Sequence, residues 1–378
     1  NRDGLGRLTE RKIAHANDNG SDTWSYSYDG ARGWLKSAHM NGTLVGEWGY
    51  DVRGNRVSET LAGGVTTLST FDLQDKQLTA GARTFTYGDD LGRVTAEAQT
   101  GGESRNYTWD AGGRLVQAVL TPNGAAPKVV DYVLDAAGRR IGKKVNGELK
   151  AGWLYDGALR PTAQMDANGK LVLRFAYGSL GHSPDVAVKF DPDSGGAVGV
   201  YWFVHDQVGS VVAVVDTATG TAVERSSYLP WGERTVEVAN AVFSHPFGFA
   251  GGLHDADTGL VRFGAREYDP RIGRWLARDP IGLMGGWNPG QYAGNNPIGS
   301  FDPTGLRPDF DPGPIDECKA QDSGCRSDFD TVADIWIDIG AFLFPGGIVG
   351  KAFGKGASIL SKVFGWSGRI GSSFGPRS

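Results

Sequence analysis

A short unit that recurs along the first half of the chain constrains its fold more than anything else. In each copy an aromatic or aliphatic run meets Asp, then Gly, often Arg, and leaves as another apolar run. The copies are Asp3-Gly4-Leu5-Gly6-Arg7, Tyr28-Asp29-Gly30, Tyr50-Asp51-Val52-Arg53-Gly54, Phe71-Asp72, Asp90-Leu91-Gly92-Arg93, Trp109-Asp110-Ala111-Gly112-Gly113-Arg114, Leu134-Asp135-Ala136-Ala137-Gly138-Arg139 and Tyr155-Asp156-Gly157. Successive Asp residues lie 18 to 26 positions apart, the length of one hairpin with its connection. Alternating stretches such as Arg83–Tyr87 and Arg105–Trp109 run into an Asp-x-x-Gly turn. There Asp accepts turn amides and Gly supplies the left-handed position. A lone hairpin is only marginally stable in water, so the units are predicted to stack edge to edge into one long sheet that buries its apolar face collectively. The 58 glycines and the 11 Trp, 12 Tyr and 17 Phe suit many tight turns and half-buried pleated faces.

Within these units Tyr, Asp, Gly and Arg read as turn and packing residues. Past Val200, Tyr201–Ser210 followed by Val211–Asp216 reads as two strands around a turn, and Tyr228-Leu229-Pro230-Trp231-Gly232 as another. His205 precedes that turn with no nucleophile near it in sequence, which favours a structural role. The net charge of −5 provides no basic field for a nucleic-acid backbone. The only cysteines are Cys318 and Cys325, so the first 300 or so residues must be stabilised by packing, with no disulfide or thiolate metal site. Asn1 and the opening residues carry no export signal, which reads as a piece of a longer chain.

The most informative stretch runs from Gly259 to Leu283 and contains Tyr268-Asp269-Pro270-Arg271-Ile272-Gly273-Arg274-Trp275 and Asp279-Pro280-Ile281-Gly282. It continues through Asn295-Asn296-Pro297 to Asp302-Pro303-Thr304-Gly305-Leu306. Three Asp-Pro pairs, at Asp269, Asp279 and Asp302, can be read in two ways. As structure, Asp-Pro-x-Gly is a good turn. As chemistry, two carboxylates brought together cannot both ionise easily, so one keeps a proton while the other acts as a base. Arg278, beside Asp279, could pair with a carboxylate or polarise a carbonyl, and could equally be a surface arginine. The residues alone leave both readings open.

From Asp3 to Leu306 these units and motifs resemble the RHS/YD-repeat proteins of polymorphic bacterial toxins and the C component of insecticidal toxin complexes. Residues 259–306 resemble the RHS-associated core signature and depart from it at Asn288-Pro289-Gly290-Gln291-Tyr292. The resemblance implies an all-β fold in which YD-repeat hairpins spiral into a hollow, cocoon-like shell, followed by a small α-helical or irregular C-terminal segment. It implies repeats over 1–200, an RHS-associated core with autoproteolytic function over 201–306, and a released toxin segment over 307–378. Family members cleave themselves after the Leu of D-P-x-G-L using aspartates of the D-P-x-G motifs. Those map onto Asp279 and Asp302, with the scissile bond between Leu306 and Arg307. The shell would be made in the bacterial cytoplasm, secreted and delivered into a target cell. Its partners would be its own enclosed tail, a cognate immunity protein and a secretion-system component or chaperone. No cofactor and no metal are expected. The competing reading is a non-catalytic surface or adhesion repeat protein.

After Leu306 the composition changes. Residues 307–338 carry nine acids, whereas Lys351, Lys355, Lys362, Arg369 and Arg377 follow without any. Between them Ile339–Gly350 is uncharged and mostly apolar, shorter than a full bilayer span. Gly346, Gly350 and Gly354 would allow close helix packing in lipid. The alternatives are a helical hairpin inside the shell or a linker before a toxin domain. Residues 307–378 contain no His, so an enzymatic toxin would have its catalytic residues elsewhere.

Overall fold

The turn chemistry predicted for the repeat is present at its described Asp turns. In the computed structural model of the chain, Asp110 Oδ1 accepts the amide of Arg114 at 2.9 Å and its Oδ2 accepts Nε of the same arginine at 2.7 Å. Asp135 and Arg139 repeat both bonds at 2.9 and 2.7 Å. Gly138 stands between them at φ 82°, a conformation in which a Cβ is strained. The Arg of the unit is therefore part of its turn. The structure describes residues 1–14, 21–30, 32–88, 92–239, 243–306 and 308–310. Asp90 and Leu91 of the fifth unit, Arg307, both cysteines and the apolar run of the tail lie outside the described residues.

A sheet of 21 strands results, from Glu10–Ala14 to Arg234–Ala239, with each strand antiparallel to its neighbours in sequence. It runs on past residue 201 without a break. The register slips by one residue beside Tyr28, Tyr50, Phe71, Trp109, Leu134 and Tyr155, each directly before an Asp, and beside Tyr87, which Gly88 separates from Asp89. A bulge increases local twist, so bulges repeated at one place per hairpin curl the whole sheet. The aromatic at the bulge also ties neighbouring hairpins together. Tyr28 Oη donates to the Leu8 carbonyl at 2.6 Å, Tyr50 to Leu35 at 2.6 Å and Tyr155 to Arg140 at 2.8 Å. These hydroxyls explain why Tyr so often precedes the Asp.

The curl brings the two ends of the sheet together. Arg11 of the first strand donates to Gln207 Oε1 at 2.7 Å, and the Trp48 and Trp231 rings meet edge-on at 6.2 Å. Over this stretch the interior is occupied: residues 243–306 return inside the curved sheet as short strands and single 3-10 turns, and no α-helix occurs among the described residues. Leu260, Ile272 and Leu276 pack against Phe85, Leu115 and Val130 of the repeats, Phe247 against Phe175 and Phe203, and Ile298 against Trp24 and Trp48. Burying such side chains stabilises by roughly 1.5–3 kcal/mol each. The inner chain is thus anchored on all sides, which is what gives its polar side chains fixed positions.

Candidate active site

The strand Arg266–Asp269 organises the site. Its four side chains are at most 4% exposed, and strand alternation sends Arg266 and Tyr268 to one face and Glu267 and Asp269 to the other. A charge buried that deeply needs a partner. Glu267 Oε1 accepts Arg140 Nη2 at 2.9 Å and Arg262 Nη1 at 2.6 Å. Asp269 accepts Arg271 Nε at 2.9 Å, and Arg271 in turn clamps Glu97 at 3.0 and 2.8 Å. Arg266 turns the other way and reaches both remaining Asp-Pro carboxylates.

In all three Asp-Pro turns Oδ1 serves a turn amide, two residues on for Asp269 and Asp279 and four residues on for Asp302. Oδ1 of Asp269 accepts the Arg271 amide at 3.0 Å, Oδ1 of Asp279 the Ile281 amide at 3.0 Å and Oδ1 of Asp302 the Leu306 amide at 3.1 Å. In the repeats the Arg four positions on takes up Oδ2, but Asp279 and Asp302 are followed there by Leu283 and Leu306. Their Oδ2 atoms converge instead on Arg266 Nη2, at 2.8 Å for Asp279 and 3.2 Å for Asp302. Both aspartates are buried, at 7% and 1% exposure. Arg266 is fixed by its Nε on the Gly305 carbonyl, by Nη1 on the Pro289 carbonyl at 3.2 Å, and by stacking over Trp275 at 4.0 Å.

Leu306 lies against this pair. Its amide donates to Asp302 Oδ1 and, at 3.2 Å, to Thr304 Oγ1, which itself donates to Asp302 Oδ1 at 3.0 Å. The carbonyl oxygen of Leu306 and the Asp279 carboxyl both face the bare α-carbon of Gly285. The turn 302–306 sits flush on the hairpin turn Gly264-Ala265, whose Ala265 amide bonds the Thr304 carbonyl at 2.9 Å. Gly305, at φ 66°, leaves no room for a side chain, since a Cβ there would stand 2.9 Å from the Arg266 amide nitrogen. Burial raises the pKa of Asp279 above its ordinary value, against the opposing charge of Arg266, and the nearby Asp302 adds to the rise. Burial also pushes Arg266 down to about 10. One carboxyl disposed to hold a proton, a second that accepts hydrogen bonds, and the Leu306 backbone beside both form an arrangement suited to acid–base chemistry. A cavity of about 420 Å³ opens beside Leu306, with Arg139, Tyr155, Leu159 and Phe263 in its wall.

Asp279 and Asp302 are thus brought together as the motif reading expects, whereas Arg278 is not brought to them. Its Nη2 donates away from the pair, to the Gln74 carbonyl at 3.0 Å. The guanidinium that bridges the carboxylates belongs to Arg266, which only the tertiary structure singles out. Asp269 lies in the separate cluster with Arg271 and Glu97. His205 Nε2 pairs with Ser183 Oγ at 2.8 Å, and burial pushes its pKa down to about 4. Asn288, where the sequence departs from the core signature, is buried and donates to Asn55 Oδ1 at 2.7 Å. Among the described residues no group of three or more His, Cys, Asp or Glu converges as a metal site.

The sequence profile of the family described as Teneurin YD-shell matches residues 1–288. The chain is 29% identical over 280 residues to the tRNA nuclease WapA of Bacillus subtilis, an alignment covering 72% of this chain and 11% of that protein. It is 28% identical over 349 residues to the double-stranded DNA deaminase toxin A of Burkholderia cenocepacia, covering 82% of this chain and 22% of that protein. The chain therefore spans a tenth to a quarter of the length of these relatives. Among solved structures, the crystal structure of TcdB2-TccC3-TEV aligns with a TM-score of 0.43 at 19% identity, covering 81% of this chain and 19% of that one.

Proposed function

The chain belongs to the Teneurin YD-shell family, and from that premise we propose that it is the C-terminal part of a bacterial toxin shell that cuts its own backbone between Leu306 and Arg307. The observation that supports this reading is the convergence of Asp279 and Asp302 on Arg266 with Leu306 beside both, its amide on Asp302 and its carbonyl oxygen facing the same space at Gly285 as the Asp279 carboxyl. Asp279, whose pKa burial raises, is the acid. Asp302, which accepts hydrogen bonds from Leu306, Thr304 and Arg266, is the base.

In this mechanism a water molecule gives a proton to Asp302 as its oxygen attacks the Leu306 carbonyl carbon. Asp279 gives its proton to the carbonyl oxygen, so no full oxyanion forms. The tetrahedral intermediate then returns that hydroxyl proton to Asp279 and breaks the bond to the Arg307 nitrogen, which receives the proton held by Asp302. The products are a carboxyl group on Leu306 and a new amino terminus. One water is consumed and both aspartates are restored. Because the substrate is tethered within the site, an effective concentration far above that of free solution compensates for a modest apparatus. One turnover is sufficient.

On the same reading the shell is made in the bacterial cytoplasm, secreted and delivered into a target cell, with an immunity protein and a secretion component or chaperone as partners. The freed segment begins at Arg307. The relatives carry the names of a tRNA nuclease and a DNA deaminase toxin, which supports a toxic tail. Membrane insertion of Ile339–Gly350 is a further proposal for that tail.

The test is substitution of either aspartate. Asp279→Asn and Asp302→Asn keep size and most turn hydrogen bonds but remove the titrating group, so each folds and stays a single band on a denaturing gel. Members of one catalytic unit are not additive, and the double variant should cleave no more slowly than the slower single one. Mass spectrometry of the wild type should find a fragment starting at Arg307. Cleavage at the wild-type rate in either single variant, or a new terminus elsewhere, sinks the proposal.

A further inference from the structure

The cover over the cleavage site comes from an exposed strap, Gly282–Trp287, whose apolar side chains Leu283, Met284 and Trp287 are 70%, 84% and 90% exposed. Only Gly285 turns inward. A methyl carbon added there would lie 2.7 Å from Asp279 Cγ and 2.7 Å from the Leu306 carbonyl oxygen, well inside the 3.5–4.0 Å at which carbon atoms pack comfortably. Of the atoms a side chain at this position would meet, the nearest are the acid and the carbonyl it must protonate. The remaining strap glycines, Gly282 and Gly286, face open space, with nothing within 4 Å of an added carbon. Gly285 also differs from them in its backbone: Gly282 and Gly286 have φ of 62° and 141°, whereas Gly285 is absent from the left-handed region. The backbone therefore does not require glycine at 285.

We propose that Gly285 is a positioning residue for self-cleavage: its missing side chain keeps open the gap between the Asp279 carboxyl and the Leu306 carbonyl, through which the acid's proton passes. This rests on the reading that the bond after Leu306 is cut by the Asp279–Asp302 pair. With a methyl group in the gap, either the carboxyl or the carbonyl must move by roughly 1 Å, a displacement that costs about 10²-fold in rate. The proton route would close while Asp302 stays in place.

The experiment follows cleavage of the full 378-residue chain after pulse-labelled cell-free synthesis, in buffers from acid to alkaline, for wild type, Gly285→Ala and Met284→Ala. Gly285→Ala should cleave about 10²-fold more slowly, and its residual rate should lose the alkaline decline that reports the Asp279 proton. A role confined to folding would scale the profile without reshaping it. Met284→Ala, on the same strap but pointing outward, should match wild type in rate and profile. Wild-type rate or an unchanged profile shape in Gly285→Ala overturns the assignment, and so does a Gly285→Ala chain that fails to reach the wild-type urea midpoint and cleaves no better when refolded. If the wild type is not cut after Leu306, it is the self-cleavage reading itself that fails.

Discussion

Replacing Arg266 by Lys separates the charge of the guanidinium from its geometry. The arginine uses three nitrogens: Nε on the Gly305 carbonyl, Nη1 on the Pro289 carbonyl at 3.2 Å, and Nη2 on Asp279 at 2.8 Å and Asp302 at 3.2 Å. An ammonium group placed between the carboxylates keeps the charge and abandons both carbonyls. A buried acceptor left without a donor costs about 1–3 kcal/mol, so folding should weaken by about 2–6 kcal/mol over the two, read as a lower urea midpoint. Gly305 directly precedes Leu306, and its slack passes to the peptide to be cut. A shift of about 1 Å there slows cleavage by about 10²-fold, followed on a gel as the disappearance of the full-length chain. Arg278→Ala is the companion variant. It removes the guanidinium nearest Asp279 in sequence, but that group holds Gln74, so cleavage should continue at the wild-type rate. If Arg266→Lys cuts at the wild-type rate, or Arg278→Ala stops cutting, the assignment of the bridging arginine is wrong.

Asp269→Asn should behave unlike its two motif counterparts: losing a buried partner of Arg271 costs about 3–5 kcal/mol of stability, seen in urea unfolding, while the folded fraction still cleaves. Cleavage in that fraction failing along with stability would place Asp269 in the reaction. A second expectation concerns acid. Burial holds His205 and His254 down to about 4 from an ordinary 6.5, so below pH 6.5 the unfolded chain takes up protons first. Their contribution is complete above 6.5 and lost as pH falls through that window towards 4. The urea midpoint of wild type should fall over that range, and the His205→Gln, His254→Gln double variant should flatten the slope; an unchanged slope would refute this.

Much of the site was legible because its local part is local chemistry. An Asp two or four residues ahead of a free amide forms the turn wherever it occurs, and the order Asp-Pro-x-Gly marks Asp279 and Asp302 as carboxylates with one oxygen to spare. Two features were not legible. Arg266 stands 36 residues from Asp302, with no spacing to distinguish it from Arg262, Arg271, Arg274 or Arg278 in the same arginine-rich stretch. Gly285 reads as one more loop glycine, because what it must avoid is the Asp279 carboxyl behind it and the Leu306 carbonyl ahead of it, which meet there only in the folded chain.

The sequence by itself determined the hairpin, its period and the carboxylates offered at each turn, since those depend on residues within a few positions of one another. The stacking of these hairpins into one long sheet follows likewise, whereas its curl rests on bulges that show only in the register between strands. What lies inside that curl depends on contacts between segments far apart in the chain. The inner strand Arg266–Asp269 is clamped by side chains from distant hairpins, Arg140 on Glu267 and Glu97 through Arg271. With Glu267 and Asp269 paired to other arginines on one face, Arg266 is left on the other to meet Asp279 and Asp302. Which charge finds which partner inside a buried strand depends on what the surrounding sheet has already taken up, and that is a property of the closed shell rather than of any segment of it.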